Sequence, residues 1–100
     1  MNDWDRHLEE DRRLALLRVL EAHPAFRAND SVLGMALDRV GHVVSRDRVR
    51  SDIAWLDEQG LITREIIADG RVHVATLTQR GIDVAMARSA HPGVKRPSPG

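Results

Sequence analysis

One hundred residues, with fifteen Lys and Arg against fifteen Asp and Glu and no cysteine, set the outer bounds of this protein. A chain of this length holds one small domain, and the lack of cysteine removes disulfide frameworks, thiolate nucleophiles, iron–sulfur clusters and every cysteine-bearing zinc site. No apolar run approaches the roughly 18–20 residues that cross a bilayer, and the acidic start Met1-Asn2-Asp3-Trp4-Asp5 is unlike a secretory signal. No membrane partner is expected, and the expected location is the cytoplasm.

The formal net charge of zero speaks against a nucleic-acid partner, since such domains are usually basic as a whole. The balance is uneven along the chain, however. Residues 1–30 sum to −2, 31–50 to +2, 51–70 to −4 and 71–100 to +4. A fold that joins the two basic segments makes one positive face and sets the acids aside. Fourteen of the fifteen bases are Arg, the side chain suited to bidentate contacts with phosphate or guanine.

In chain order, the first helix is expected from about Asp5 to Ala22, with Leu8, Leu14, Leu17, Val19 and Leu20 on its apolar face. His23-Pro24 stops it, because the residue before proline is driven out of the helical region. Pro24–Ala28 reads as a connector with Phe26 as a plug into the core. Asn29 or Asp30 caps a second helix, Ser31 to about Val40, which buries Leu33, Ala36, Leu37 and Val40. Gly41 ends it in the left-handed conformation, and His42 in the following turn reads as a surface or capping group.

Ser45 caps a third helix to Gln59, with Ile53 and Leu56 within about 40° of Val49 at 100° per residue. Gly60 terminates that helix. The period then changes: Leu61–Ile67 and Val72–Leu77 suit strands, joined by Ala68-Asp69-Gly70-Arg71 with its Asp-Gly hairpin signal. Thr78 caps a last helix, about Gln79 to Arg88, burying Ile82, Ala85 and Met86. From Ser89 the composition turns to Pro, Gly, Ser and bases, a flexible tail by composition.

Helix, helix, short turn, helix, hairpin, helix is the order of a winged helix-turn-helix, a mostly helical α+β fold. Residues 1–88 form the domain and 89–100 the tail. In this arrangement the N-terminal part of the third helix enters the major groove. Arg46, Arg48 and Arg50 lie within five residues there, next to Ser45 and Ser51. These are the side chains that a reader of guanine and phosphate needs, and the helix N-terminus itself favours an anion. The competing reading is a solvated face paired with Asp47 and Asp52 at helical spacing. The wing carries Arg71 at its tip, with Arg64 and His73 on its strands. Arg71 reaches an A·T-rich minor groove or is polar simply because a hairpin tip is exposed. Trp55 lies about 120° from Val49, packed on the first helix or the wing, or else forming a dimer or partner contact. Trp4 reads as an N-terminal anchor or part of a dimer seam.

The segment Val44-Ser45-x-x-x-Val49-Arg50-x-Asp52-Ile53-x-x-Leu56-x-Glu58-Gln59-Gly60-Leu61-Ile62 resembles the DNA-binding domain of DeoR-type bacterial repressors. Leu77-Thr78-x-x-Gly81-x-x-x-Ala85 is similar to the strand-to-helix step of MarR and PadR regulators. Leu14–Phe26, Asn29–Leu33, Ser45–Leu61 and the tail Pro92–Pro99 resemble small winged-helix proteins of Mu-like transposable phages and prophages. These resemblances imply a phage or prophage protein acting in a bacterial host. They also imply that Ser45 caps and touches phosphate, Arg50 contacts phosphate or base, and Asp52 ties the third helix to its neighbours.

The expected function is therefore a phage-encoded transcriptional regulator that binds double-stranded DNA as a homodimer. Helix 45–59 would enter the major groove, with wing 61–77 on the adjacent groove or backbone. The alternative is a winged-helix module that docks a phage or host protein without binding DNA. Zero net charge, the five acids of residues 51–70, off-stripe Trp55 and the Pro-rich tail speak for that alternative. The five His are scattered, and no nucleophile–base pair or Gly-rich phosphate loop is visible. No metal, no cofactor and no catalysis are expected.

Overall fold

The computed structural model describes residues 2–97. Helix α1 (Asp3–Ala22) is started by Asn2, whose side-chain oxygen accepts the Asp5 N–H at 2.8 Å, and it ends at His23 before Pro24. It packs against the second and fourth helices and the central strand. Its buried arc is therefore wider than a single stripe, taking in Leu14, Leu16, Leu17, Leu20 and the charged Arg12. Leu8, expected in the core, is 40% exposed, because residues 2–8 at the start of α1 are exposed throughout.

The connector after α1 is where structure and sequence reading part. Pro24–Phe26 forms a 3-10 turn in which Ala25 (φ 58°) and Phe26 (φ 55°) both take the left-handed conformation. That reversal delivers Arg27–Asn29 as a short strand, β1, onto the hairpin. Phe26 is not the core plug: it is 40% exposed, and the small Ala28 of β1 is the buried residue instead. Three residues carry no readable period, so β1 has no signal in the sequence.

Helix α2 (Asp30–Arg39) is capped by Asn29, whose side chain accepts the Val32 N–H at 2.9 Å. It buries Leu33 and Leu37, while Val40, past its last turn, is 60% exposed. Gly41 (φ 97°) closes it as expected. Helix α3 (Arg46–Glu58) begins at the Ser45 cap and buries Val49, Ile53 and Leu56. After Gly60 (φ 75°), β2 (Ile62–Ile67) and β3 (Val72–Leu77) form the hairpin around Ala68–Arg71. The sheet is antiparallel with order β1-β3-β2 and aligns Ala28 with Ala75 and Thr63 with Thr76.

Helix α4 (Gln79–Ala85) is shorter than the expected span to Arg88, and Met86, just past its end, is 47% exposed rather than buried. Thr78 caps it through the Gly81 N–H at 3.1 Å and donates its own hydroxyl to the Gly60 carbonyl at 2.8 Å. Gly81 is required there by contact: a Cβ would lie 2.0 Å from the Leu61 carbonyl oxygen and 2.7 Å from Leu77 Cδ1.

The boundary expected after Arg88 is not where packing ends. Val94 is 7% exposed within the core cluster, and the Lys95 N–H donates to the Glu10 carbonyl at 3.1 Å. The chain from His91 to Lys95 thus returns to α1 and α3. The last three residues of the expected tail lie outside the described ones. Among the described residues no helix is long and apolar enough to cross a membrane.

Candidate nucleic-acid interface

The leading end of α3 is built by local chemistry. The Ser45 hydroxyl oxygen accepts the Arg48 N–H at 3.1 Å, so the serine is occupied as a helix cap while its side stays exposed. Arg46, Arg48 and Ser51 are all exposed on this end. Arg46 donates through Nη2 to the Ser31 hydroxyl of α2 at 2.9 Å. Among the described residues, neither Arg46 nor Arg48 is held in an ion pair. The pairing with Asp47 and Asp52 that the competing reading required is not formed among the described residues, and Asp52 faces the other way. It receives a two-pronged contact from Arg12 of α1, Nε to Oδ2 at 2.5 Å and Nη2 to Oδ1 at 3.0 Å. Both partners are buried, and hydrogen bonding to Asp52 outweighs burial in raising the Arg12 pKa. Asp52 thus ties α3 to its neighbour.

Arg50 stands apart from the other two arginines of the helix. Its Nε donates to Asp30 Oδ2 at 2.7 Å and its Nη2 to the Arg71 carbonyl at the wing tip, also at 2.7 Å. Asp30, at the start of α2, accepts in addition the Ser31 N–H at 3.1 Å, and the backbone of His73 on β3 lies close enough to help hold its charge. Its side chain is only 2% exposed. Burial pushes its pKa up, but hydrogen bonds from Arg50 and His73 and the charges of Arg50 and Arg46 overcome this and hold it below the usual carboxylate range. Sequence reading offered Asp30 only as an alternative cap. Its contacts to residues 50 and 73 are invisible to local pattern.

In the wing, Ala68 (φ 53°), Asp69 (φ 54°) and Gly70 (φ 84°) take the left-handed conformation in succession, and Arg71 Nε donates to the Ala68 carbonyl at 2.9 Å. The Arg71 side chain is exposed at the tip. Arg64 pairs instead with Asp57 of α3 at 3.7 Å, and Glu65 with Arg27 of β1 at 3.5 Å. Asp52, Asp57 and Glu65, three acids of the most acidic segment, are therefore matched by Arg12, Arg64 and Arg27.

Bases of the second basic segment take separate partners. Arg71 joins α3 through Arg50, but Lys95 sits on α1, 3.3 Å from Asp11, and Arg88 lies 3.6 Å from Asp83. His42 is buried rather than superficial and its Nε2 lies 2.7 Å from Asp11 Oδ2. Trp55 packs on α1 and the returning chain: the Arg13 guanidinium lies 3.9 Å from its ring centroid and the His91 ring meets it edge-on at 5.6 Å. Trp4 is 68% exposed, in a shallow groove with Leu8, Lys95 and Arg96.

A helix-turn-helix formed by α2 and α3 and followed by a sheet-anchored hairpin makes this a winged helix-turn-helix protein. No family model matches the chain. Over 92 residues, covering 92% of the chain and 93% of the relative, it is 51% identical to the uncharacterized protein gp26 of Escherichia phage Mu. It is 41% identical over 92 residues to an uncharacterized protein of Haemophilus influenzae, covering 92% of the chain and 87% of that relative. The chain belongs to the family of the phage Mu protein gp26.

Among solved structures it is similar to AbsC, a MarR family transcriptional regulator from Streptomyces coelicolor, with a TM-score of 0.62 and 22% identity over 80% of the chain. It is also similar to Sco3205, a MarR family regulator of the same organism solved in complex with DNA, with a TM-score of 0.64 and 26% identity over 89% of the chain. The chain spans 57% and 55% of the lengths of those two regulators. Both of these neighbours in fold are MarR family regulators.

Proposed function

We propose that this protein is a phage or prophage DNA-binding transcriptional regulator that inserts α3 into the major groove and lays its wing on the adjacent groove or backbone. The observation that carries this reading is the leading end of α3, where Arg46, Arg48 and Ser51 are exposed at a capped helix N-terminus. Arginines without carboxylate partners among the described residues suit phosphate and guanine at that position, and the helix end adds partial positive charge. Similarity to Sco3205, solved with DNA, supports the same placement. Arg71 at the wing tip is the minor-groove or backbone contact. Two copies read two half-sites about one helical turn apart, and exposed Trp4 and Leu8 are the residues offered for pairing. The role is regulatory rather than enzymatic, and the site of action is the bacterial cytoplasm.

Polarization measurements with short duplexes of phage promoter DNA across a salt series test this reading. Binding at micromolar concentration or tighter, weakening with salt and reduced by Arg46→Ala and Arg48→Ala, is the expected result. Absence of binding at low salt overturns it and leaves the protein-docking alternative. Trp55, on which that alternative partly rested, is covered by Arg13, His91 and Gly93 of its own chain.

A further inference from the structure

Arg50 occupies the recognition helix, yet its position in the contact network is unlike that of Arg46 or Arg48. Its guanidinium is shared between a carboxylate on α2 and a carbonyl at the wing tip, at 2.7 Å each. The carboxylate it meets is nearly sealed from water, with 2% of the Asp30 side chain exposed, whereas the Arg50 side chain keeps 24%. A buried carboxylate that loses its cation is strongly penalised. Swinging Arg50 out to a phosphate would exact that penalty at Asp30 and would release the wing as well.

The wing has few other anchors at its tip. The pairing of β1 with β3 runs only from Arg27–Thr76 to Asn29–Val74, so Val72 and His73 extend past it. On the other side, Ile66 and Ile67 of β2, which pair with His73 and Val72, are exposed. Among the described residues, the Arg71 carbonyl held by Arg50 ties this overhang to the helix-turn-helix unit, and the His73 backbone of β3 lies close enough to Asp30 to help hold its charge. One carboxylate and one guanidinium thereby join α2, α3 and β3 at a single point.

We propose that Arg50 and Asp30 form a clamp that fixes the wing at a set angle to α3, with Arg50 a positioning residue that supplies no DNA contact of its own. The clamp rests on the DNA-binding reading for its purpose, but its existence is a property of the free protein. It accounts for a recognition-helix arginine that faces backward into the fold. It also assigns the sequence-independent and base contacts of α3 to Arg46, Arg48 and Ser51.

Two measurements test it on the full chain. The first is amide hydrogen exchange by NMR without DNA, comparing wild type with Arg50→Ala, Arg50→Lys and Asp30→Asn. Exchange at Val72, whose amide shares a peptide with the clamped Arg71 carbonyl, and at His73 should quicken at least tenfold in Arg50→Ala and Asp30→Asn, while Ala28 and Ala75, in the β1–β3 pairing, keep their protection relative to global stability. Arg50→Lys keeps the charge on Asp30 and should recover part of the protection. The second is the slope of log K against log salt for a 30-base-pair random-sequence duplex. Arg50→Ala and Asp30→Asn should both weaken binding severalfold with the wild-type slope, whereas Arg48→Ala lowers the slope by about 1.

A slope lowered by about 1 in Arg50→Ala, with binding unaffected by Asp30→Asn, would make Arg50 a phosphate contact and overturn the proposal. Unchanged exchange at Val72 and His73 in both variants removes the clamp. Wild-type protein that binds no duplex overturns the DNA reading and the positioning role with it, while exchange still decides whether the clamp exists.

Discussion

Gly81 shows how far one residue's environment outweighs its intrinsic propensity. In an open helix, Gly→Ala gains about 1 kcal/mol. Here the added methyl would meet the Leu61 carbonyl oxygen at 2.0 Å, and that carbonyl also accepts the Thr78 N–H, so neither backbone can yield cheaply. Gly81→Ala should therefore lower stability by about 1–3 kcal/mol, the usual range for overpacking, as measured by urea unfolding. The motif Leu77-Thr78-x-x-Gly81 was legible as a strand-to-helix step, and its reason is this close approach. Asp30 is the second residue whose role is settled by surroundings. Its pKa is held below its ordinary value, so it stabilises the fold fully above about pH 4, where an unfolded carboxylate is ionised. That contribution is lost as pH falls through the lower folded value. Unfolding free energy should fall from pH 4 downward, and Asp30→Asn should start lower at neutral pH and fall less steeply. Asp11, also held low by bonds from His42 and Lys95 against the opposing effect of burial, adds a smaller and salt-sensitive part because its side chain is 43% exposed.

At the scale of elements, boundaries set by caps and stop signals were readable and those set by partners were not. Asn29, Ser45 and Thr78 cap their helices, and Gly41 and Gly60 take left-handed conformations, because each acts on groups within a few residues. The strand β1, the outward Phe26 and the early end of α4 depend on what lies across the fold. So does the attachment of α1 to α3. Arg12 falls in the buried arc with Leu16 and Leu20 at helical spacing, which a hydrophobicity pattern cannot anticipate for a charged residue. Asp52→Ala should cost about 3–5 kcal/mol in unfolding measurements, since it leaves the Arg12 guanidinium buried without a partner. Arg12→Met combined with Asp52→Leu should recover most of that loss. If the double variant is no more stable than the single one, the cost lies in packing rather than in the stranded charge.

For the whole molecule, the question is whether total charge or its placement governs interaction with DNA. Arg46→Ala with Arg48→Ala, and Arg88→Ala with Lys95→Ala, each change the net charge by the same two units. A response to total charge makes the two double variants equal. Placement predicts that only the first pair lowers the salt slope of duplex binding, by about 2, because Lys95 lies against Asp11 and Arg88 against Asp83. Polarization over a salt series distinguishes the two outcomes.

By itself, the sequence determined the order of the four helices and the hairpin, the caps of α2, α3 and α4, and the Arg-rich start of α3, and so the winged helix-turn-helix class. These follow from local rules: periodicity, capping and turn chemistry act over a few residues. It also set the net charge at zero, without deciding which charges remain available. Only the tertiary structure decided that, by bringing Arg12 to Asp52, Arg27 to Glu65, Arg64 to Asp57 and Arg50 to Asp30. Carboxylates distant in sequence took up arginines elsewhere and left Arg46 and Arg48 without carboxylate partners among the described residues. Charge pairing depends on distance and burial, and neither can be read from a position in the chain.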